Sequence, residues 1–247
     1  MSSIARALGV MRSLAIYYGI PFRARRLRAF YAQFVDPGAL CFDVGAHAGN
    51  RVRAWRKLGA RVVAIEPQPQ FVRLLRQLFG ADREVEIVPA ALGRASGSAE
   101  LLISERTPTV STLSTEWVNT VQTDPGFKRV RWTGRERVPV LTLDELIGRC
   151  GVPQFVKIDV EGYEAEVLGG LTTPLEALSF EYLPAARQVA LECIDRLEQL
   201  GRYEYNCSPG ERHRFVTRGW ESAGEMRARL EAMPHDAPSG DVYARLV

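Results

Sequence analysis

Two stretches of the sequence each carry an apolar run into a carboxylate and a glycine. They are Phe42-Asp43-Val44-Gly45-Ala46-His47-Ala48-Gly49-Asn50 and Lys157-Ile158-Asp159-Val160-Glu161-Gly162-Tyr163-Glu164. In an open α/β sheet, ligands bind beyond the carboxyl ends of the strands, so two such endings read as two walls of one site. Gly45 and Gly49 allow a sharp turn and let a ligand approach backbone that a side chain would shield. Their spacing is not the G-x-G-x-x-G of a dinucleotide turn. Asp43, just before the turn, is placed to accept a hydrogen bond from a cationic or amine-bearing ligand. Glu66 ends the next apolar run about 20 residues after the glycine turn, where a carboxylate bridges ribose hydroxyls, and Pro67 fixes the turn that follows. These spacings point to a nucleoside ligand.

At the second ending, strand periodicity predicts that Lys157, Asp159 and Glu161 share one face while Ile158 and Val160 face the other way. Three ionisable groups on a buried strand are costly unless they are paired, hydrogen-bonded or used. The triplet runs into Gly162, where a ligand can approach, which favours use over a salt-bridge ladder around Lys157.

The elements that must position these groups follow an α/β rhythm. The pattern predicts strand 39–44, helix 51–58, strand 61–66, helix 70–79 and strand 84–88. Phe71, Leu74, Leu75 and Leu78 form the apolar stripe of the second helix. The rhythm then breaks into an insertion at about 97–138, with an extra strand at 98–104 and a polar stretch rich in Thr and Arg. It resumes at Leu141-Thr142-Leu143-Asp144, where Thr142 and Glu145 make a capping box. A buried strand at 155–160, helix 164–171, strand 178–182, helix 185–200, strand 203–207 and terminal strand 241–247 complete the pattern. Ahead of it, residues 4–34 read as helical, so 1–38 are expected to form a lid segment before a domain at 39–247.

These motifs resemble the FkbM family of S-adenosylmethionine-dependent methyltransferases, a branch of the class I Rossmann-like group. The likeness is carried by Phe42 to Asn50, Ile65-Glu66-Pro67, Ala91-Leu92-Gly93, Leu141 to Asp144 and Lys157 to Glu164, in that order. It implies a mostly parallel sheet with an antiparallel terminal strand and helices on both faces. It also implies S-adenosyl-L-methionine as cofactor, with the Asp43–Asn50 loop on the methionine part, Glu66 on the ribose and the Pro89–Leu92 region, Ala91 included, on the adenine side. His47 stands where similar members carry asparagine, and a loop-structuring role suits it best. The resemblance makes oxygen the expected methyl acceptor, on a sugar, glycolipid or secondary metabolite. Transfer to a hydroxyl needs a route for its proton, which Asp159 or Glu161 can supply beside Lys157. Asp159, Glu161 and Glu181 could also offer oxygens to Mg²⁺, but metal-free catalysis is the favoured expectation. His213, between Arg212 and Arg214, is the other candidate base, although such a cluster commonly forms a solvated turn. Thr109, Ser111, Thr112 and Ser114 resemble a segment near the acceptor.

Composition narrows the rest. The 247 residues carry 32 Lys and Arg against 29 Asp and Glu, too even a balance for a nucleic-acid footprint. Cys41, Cys150, Cys193 and Cys207 are widely spaced, as buried reduced thiols are, so a cytoplasmic location is expected. No run is long enough for a transmembrane helix. Arg23, Arg25, Arg26 and Arg28 form a basic face, read first as solvated and second as a peripheral membrane or anion contact. The rival functions are a nicotinamide-dependent oxidoreductase or epimerase, and a noncatalytic nucleoside-binding protein.

Overall fold

The structure, a computed structural model, describes residues 23–104 and 107–247. Of the expected N-terminal helical segment, residues 4–22 lie outside the described residues. The first half runs α1 (Arg23–Tyr31), β1 (Leu40–Val44), α2 (Asn50–Arg56), β2 (Arg61–Ile65), α3 (Pro69–Phe79) and β3 (Val85–Val88). After β4 (Ala91–Leu92), the insertion adds β5 (Gly97–Ile103), α4 (Thr115–Val121) and most of β6 (Gly134–Leu141). Then follow α5 (Leu143–Cys150), β7 (Phe155–Ile158), α6 (Glu164–Gly169), β8 (Ala177–Tyr182), α7 (Gln188–Leu200), β9 (Tyr203–Pro209), α8 (Ala223–Glu231) and β10 (Gly240–Leu246).

Seven strands form one sheet in the order β3-β2-β1-β7-β8-β10-β9. The pairs from β3 to β8 are parallel, and β10 runs antiparallel to both β8 and β9. This is the doubly wound class I arrangement the sequence predicts, with its switch in strand order between β1 and β7, where such sheets bind ligands. β1 and β7 are nearly unbroken buried runs because helices cover both faces. On one face Cys41, Val62, Phe155 and Tyr243 pack against Tyr31 of α1, Trp55 of α2 and Leu75 of α3. On the other, Phe42, Val63, Val156 and Phe180 meet Leu146 of α5, Leu168 of α6 and Ile194 of α7.

Asp43 of β1, Lys157 of β7, Ser179 of β8 and Tyr243 of β10 are successive register partners, so a polar row crosses the apolar sheet on the α1 face. All four are buried. A second sheet, β4-β6-β5, is built from the insertion. A backbone bridge between Leu102 and Thr112 ties the following loop to β5. Thr142 and Glu145 do form a capping box at the start of α5. β4, α4, β6 and α8 are not among the elements that the sequence pattern predicts, and β7 stops at Ile158 rather than running to residue 160.

Candidate active site

β1, β2 and β7 end at one edge of the sheet, which brings the residues that follow them face to face. Gly45 has φ of 81°, and a Cβ there would sit 1.9 Å from the Asp159 carbonyl oxygen. Only glycine permits that approach. After β2, the Glu66 carboxylate binds the two neighbouring turns: its Oε2 accepts from the His47 N–H at 2.9 Å and its Oε1 from the Gln68 N–H at 2.8 Å. Each oxygen retains a lone pair for a ligand. Burial pushes Glu66 up to about 7, against the two backbone bonds that pull it down. His47 takes φ of 48° and stacks 3.7 Å from the Phe71 ring. Burial, helped by Arg51, drives its imidazole down to about 3, so it is neutral.

The Glu66 shift has a measurable sign. The folded protein holds this proton more tightly than the unfolded chain, whose value is 4.5, so its contribution to stability is lost as pH rises from about 4.5 to about 7. Glu66→Gln removes the effect. Melting curves are therefore expected to show wild type losing ground to the variant across that window, by up to about 1.4 kcal/mol per pH unit. A gap in Tm that stays constant with pH contradicts this.

The centre of the site is a residue that the sequence reading passed over. Arg51, the second residue of α2, donates from Nε to Asp43 Oδ1 at 2.7 Å, from Nη1 to Asp159 Oδ2 at 2.9 Å and from Nη2 to the Gly45 carbonyl at 3.0 Å. Asp43 is fully buried with Oδ1 engaged by Arg51, and it lines neither of the two cavities described below, so the contact with a ligand expected of it is not seen there. The signal for Arg51 was present: two carboxylates at buried strand ends require a cation nearby. Lys157, 1% exposed, donates to the Ile158 carbonyl and pairs with Asp241 at 2.7 Å and Asp159 at 3.6 Å. Burial works against its charge, but Asp159 and Asp241 outweigh it and hold the ammonium above its ordinary value.

Asp159, Glu161 and Glu181 place one oxygen each within 4.8 Å of one another. Asp159 and Glu161 do meet, but not by strand alternation, because Glu161 has φ of 57° beyond the end of β7. Burial disfavours ionised Asp159, yet Lys157 and Arg51 hold it below the usual carboxylate range. Glu161 is pushed well up by burial and then by Asp159 and Glu164. Glu181 is raised in the same way by burial, Glu161 and Asp159. Glu164 shapes the turn by accepting from the Val160 N–H at 2.9 Å and the Gly162 N–H at 3.3 Å. Gly162 has φ of 86°, and a Cβ there would strike the Trp117 ring at 2.1 Å, so the insertion closes directly on this turn.

Two cavities meet here. The first, of about 660 Å³, is lined by Gly45, His47, Glu66, Pro67 and Ala91, all expected from sequence, and by Asp159 and Glu161. Thr109, Ser111 and Thr112 also line it, with Leu92, Leu101 and Leu113 making an apolar end. The second, of about 460 Å³, is lined by Asn50, Glu181, Glu211, His213 and Asp241 beneath Leu27 and Tyr31 of α1. Arg51 and Asp159 line both. Lys157 and Gly49 line neither; Gly49 caps α2. His213 is drawn inside rather than left on a solvated turn: its side chain is 6% exposed, 6.0 Å from the Phe30 ring and 3.2 Å from Glu211. A third cavity, of about 1,170 Å³, touches the first through Leu113 and Tyr163 but contains none of the three converging carboxylates.

Residues 43–234 match the family model described as the methyltransferase FkbM domain. The chain belongs to the FkbM methyltransferase family. S-adenosylmethionine is the methyl donor of this family. Among curated proteins, the chain is 30% identical over 142 residues to hexuronic acid methyltransferase AglP of Haloferax volcanii, across 56% of this chain and 52% of that protein. The chain thus spans about half the length of that relative. Among solved structures, a TehB-like SAM-dependent methyltransferase from Corynebacterium glutamicum aligns at TM-score 0.48 and 11% identity, over 96% of this chain and 94% of the other. A precorrin-6y C5,15-methyltransferase from Geobacter metallireducens aligns at TM-score 0.46 and 14% identity, over 91% and 87%. At those scores the strand order, rather than either likeness, identifies the fold.

The first cavity fits the family's donor. Its apolar end suits an adenine, the Glu66 carboxylate a ribose diol, and the Asp159 and Glu161 end a cationic group. Among the described residues, no helix is long and apolar enough to cross a membrane, and the four cysteines are free.

Proposed function

We propose that this protein transfers a methyl group from S-adenosylmethionine, bound in the first cavity, to a hydroxyl group admitted through the second. The observation that carries the reading is the shared wall: Asp159 and Arg51 line both cavities. In-line displacement requires donor and acceptor on opposite sides of such a point. In this arrangement Asp159 accepts the hydroxyl proton. Lys157 and Arg51 position Asp159 and keep it ionised, and Glu161 stands beside it. Gly45, His47, Glu66, Pro67 and Ala91 hold the donor, while Asp43, Gly49 and Asn50 shape the loop and the start of α2 that carry Arg51.

The acceptor we favour is a sugar, glycolipid or secondary metabolite with a free hydroxyl. The Haloferax volcanii relative, named for hexuronic acid, supports a carbohydrate. Asp159, Glu211 and Asp241 around the second cavity favour a neutral or amine-bearing acceptor over an anionic one. Leu27 and Tyr31 make α1 the lid of that cavity. We take catalysis to be metal-free and the setting to be cytoplasmic. Asp159, Glu161 and Glu181 act in this reading as proton carriers, because burial and neighbouring carboxylates raise Glu161 and Glu181 well above the usual carboxylate range.

The test is a thermal-shift titration with S-adenosylhomocysteine, NAD, NADP and Mg²⁺ in parallel, before and after EDTA. S-adenosylhomocysteine alone is expected to stabilise the fold, by about 2.7 kcal/mol at 100 times its Kd. Stabilisation by a nicotinamide instead would make the protein an oxidoreductase or epimerase. A requirement for Mg²⁺ would overturn metal-free catalysis. Binding without methyl transfer to any neutral, amino or uronic sugar would favour a noncatalytic role.

A further inference from the structure

Two segments that line the second cavity carry a charge unlike that of the rest of the chain. Leu27 and Tyr31 come from α1, and Gly210, Glu211 and His213 from the loop after β9. The loop packs on the helix: the Phe30 ring lies 6.0 Å from His213 and 5.1 Å from Phe215, and the Phe34 ring lies 6.2 Å from Phe215. Residues 23–31 and 210–220 hold seven arginines and one glutamate, a formal charge of +6 against +3 for the whole chain, so the remainder of the protein is net negative. Arg25 and Arg26 of α1 are exposed, as are Arg212, Arg214, Val216 and Arg218 of the loop, while His213 and Phe215 turn toward Phe30. None of these arginines lines any of the three cavities, so they do not converge on one small anion. Positive charge spread over two packed elements, with an exposed valine among it, complements an extended surface that is anionic outside and apolar within.

We propose that the exposed surface of α1 and the 210–220 loop docks on an anionic lipid bilayer, and that the second cavity takes its acceptor from that bilayer as a sugar carried on a lipid. The acceptor half rests on the reading of the second cavity as the acceptor site; the docking half does not. An anionic leaflet strengthens binding by about fivefold for each arginine near it, and the attraction fades over a Debye length of about 8 Å at physiological salt. Several arginines must therefore reach the leaflet together, which the packing of the loop on Phe30 and Phe34 secures. The net negative remainder of the protein is repelled by the same leaflet, so the field of the whole molecule turns this surface toward the lipid. The arrangement also accounts for opposite charges on the two sides of these segments. Arginines on the outside meet lipid phosphates, while Asp159, Glu211 and Asp241 around the cavity receive the uncharged sugar.

The test is co-sedimentation of the full chain with phosphatidylcholine vesicles made with and without phosphatidylglycerol. Binding is expected only with phosphatidylglycerol and should be lost in high salt. Arg25→Gln with Arg26→Gln, and separately Arg214→Gln with Arg218→Gln, should each weaken it by about 25-fold, the product of two fivefold losses. Arg25→Lys with Arg26→Lys should retain it. These side chains are exposed, so binding of S-adenosylhomocysteine should be the same in every variant. Equal binding to both kinds of vesicle, binding to neither, wild-type binding by both glutamine variants, or tighter binding to a short single-stranded RNA than to the anionic vesicles overturns the docking surface. For the acceptor, the methyl label of S-adenosylmethionine should pass into the lipid extract of a lysate of the organism that encodes the protein. Label in the water-soluble fraction alone overturns the lipid-carried acceptor. Label in neither fraction removes the methyl-transfer reading instead, and the vesicle result stands apart from it.

Discussion

Asp159→Asn is expected to lower methyl transfer by about 10²–10⁴-fold, the usual contribution of a positioned general base, while S-adenosylhomocysteine still binds. The substitution changes the group that accepts a proton but little of what surrounds it. An Asn amide oxygen can still accept from Arg51 Nη1, and the backbone N–H of residue 159, which donates to the Val44 carbonyl at 3.0 Å, is untouched. The lost function is specific to the reacting state, so kcat should fall with little change in donor affinity. Asp159 is a weak base by itself, since Lys157 and Arg51 stabilise its ionised form. Its place on the shared wall makes it the first receiver of the proton, whereas Glu161 lines the first cavity and not the second. Glu161→Gln should consequently cost less than Asp159→Asn. An Asp159→Asn enzyme that keeps more than about a tenth of wild-type turnover on its acceptor removes Asp159 from this role.

The parts of the site that were legible in the sequence are those whose chemistry is local. A glycine after an apolar strand, a carboxylate at the strand end and a proline after it are all read from neighbouring residues, which is why Gly45, Glu66 and Pro67 were foreseeable. The cap at Thr142 and Glu145 is equally local. Long-range pairing was not legible. Arg51 sits on a short helix among other arginines, and only the meeting of β1 and β7 shows that it spans Asp43 and Asp159. Asp241 had no neighbour in sequence to suggest Lys157. The strand pattern failed at Glu161 because a left-handed residue after β7 ends the alternation. β6 was hidden by its own surface: Gly134-Arg-Glu-Arg exposes alternate polar residues, and Pro139 lies within it. α8 buries only Met226 and Leu230, too few for a clear stripe.

Lys157→Met should cost up to about 3–5 kcal/mol of stability, because it removes a buried cation and leaves half-buried Asp241 without one. Lys157 occupies the middle of the sheet, with Asp43 and Ser179 as register partners on either side, and its ammonium is the only cation that reaches Asp241 among the described residues. Met fills a similar volume, so the loss would report charge rather than packing. Arg is not a substitute: a planar guanidinium is larger than the ammonium and needs more acceptors than Asp159, Asp241 and the Ile158 carbonyl present around one point. The partner variant isolates the cause. Adding Asp241→Asn to Lys157→Met removes the carboxylate that loses its cation, and chemical denaturation should show part of the stability returning. If the double variant is instead destabilised by the sum of the two single effects, Lys157 and Asp241 act independently and the pairing is not what holds β10 against β8 at this edge. The same comparison bears on the site, since a chain stabilised again but still lacking Lys157 would leave Asp159 with Arg51 alone, and its activity would measure how far Lys157 keeps that carboxylate ionised.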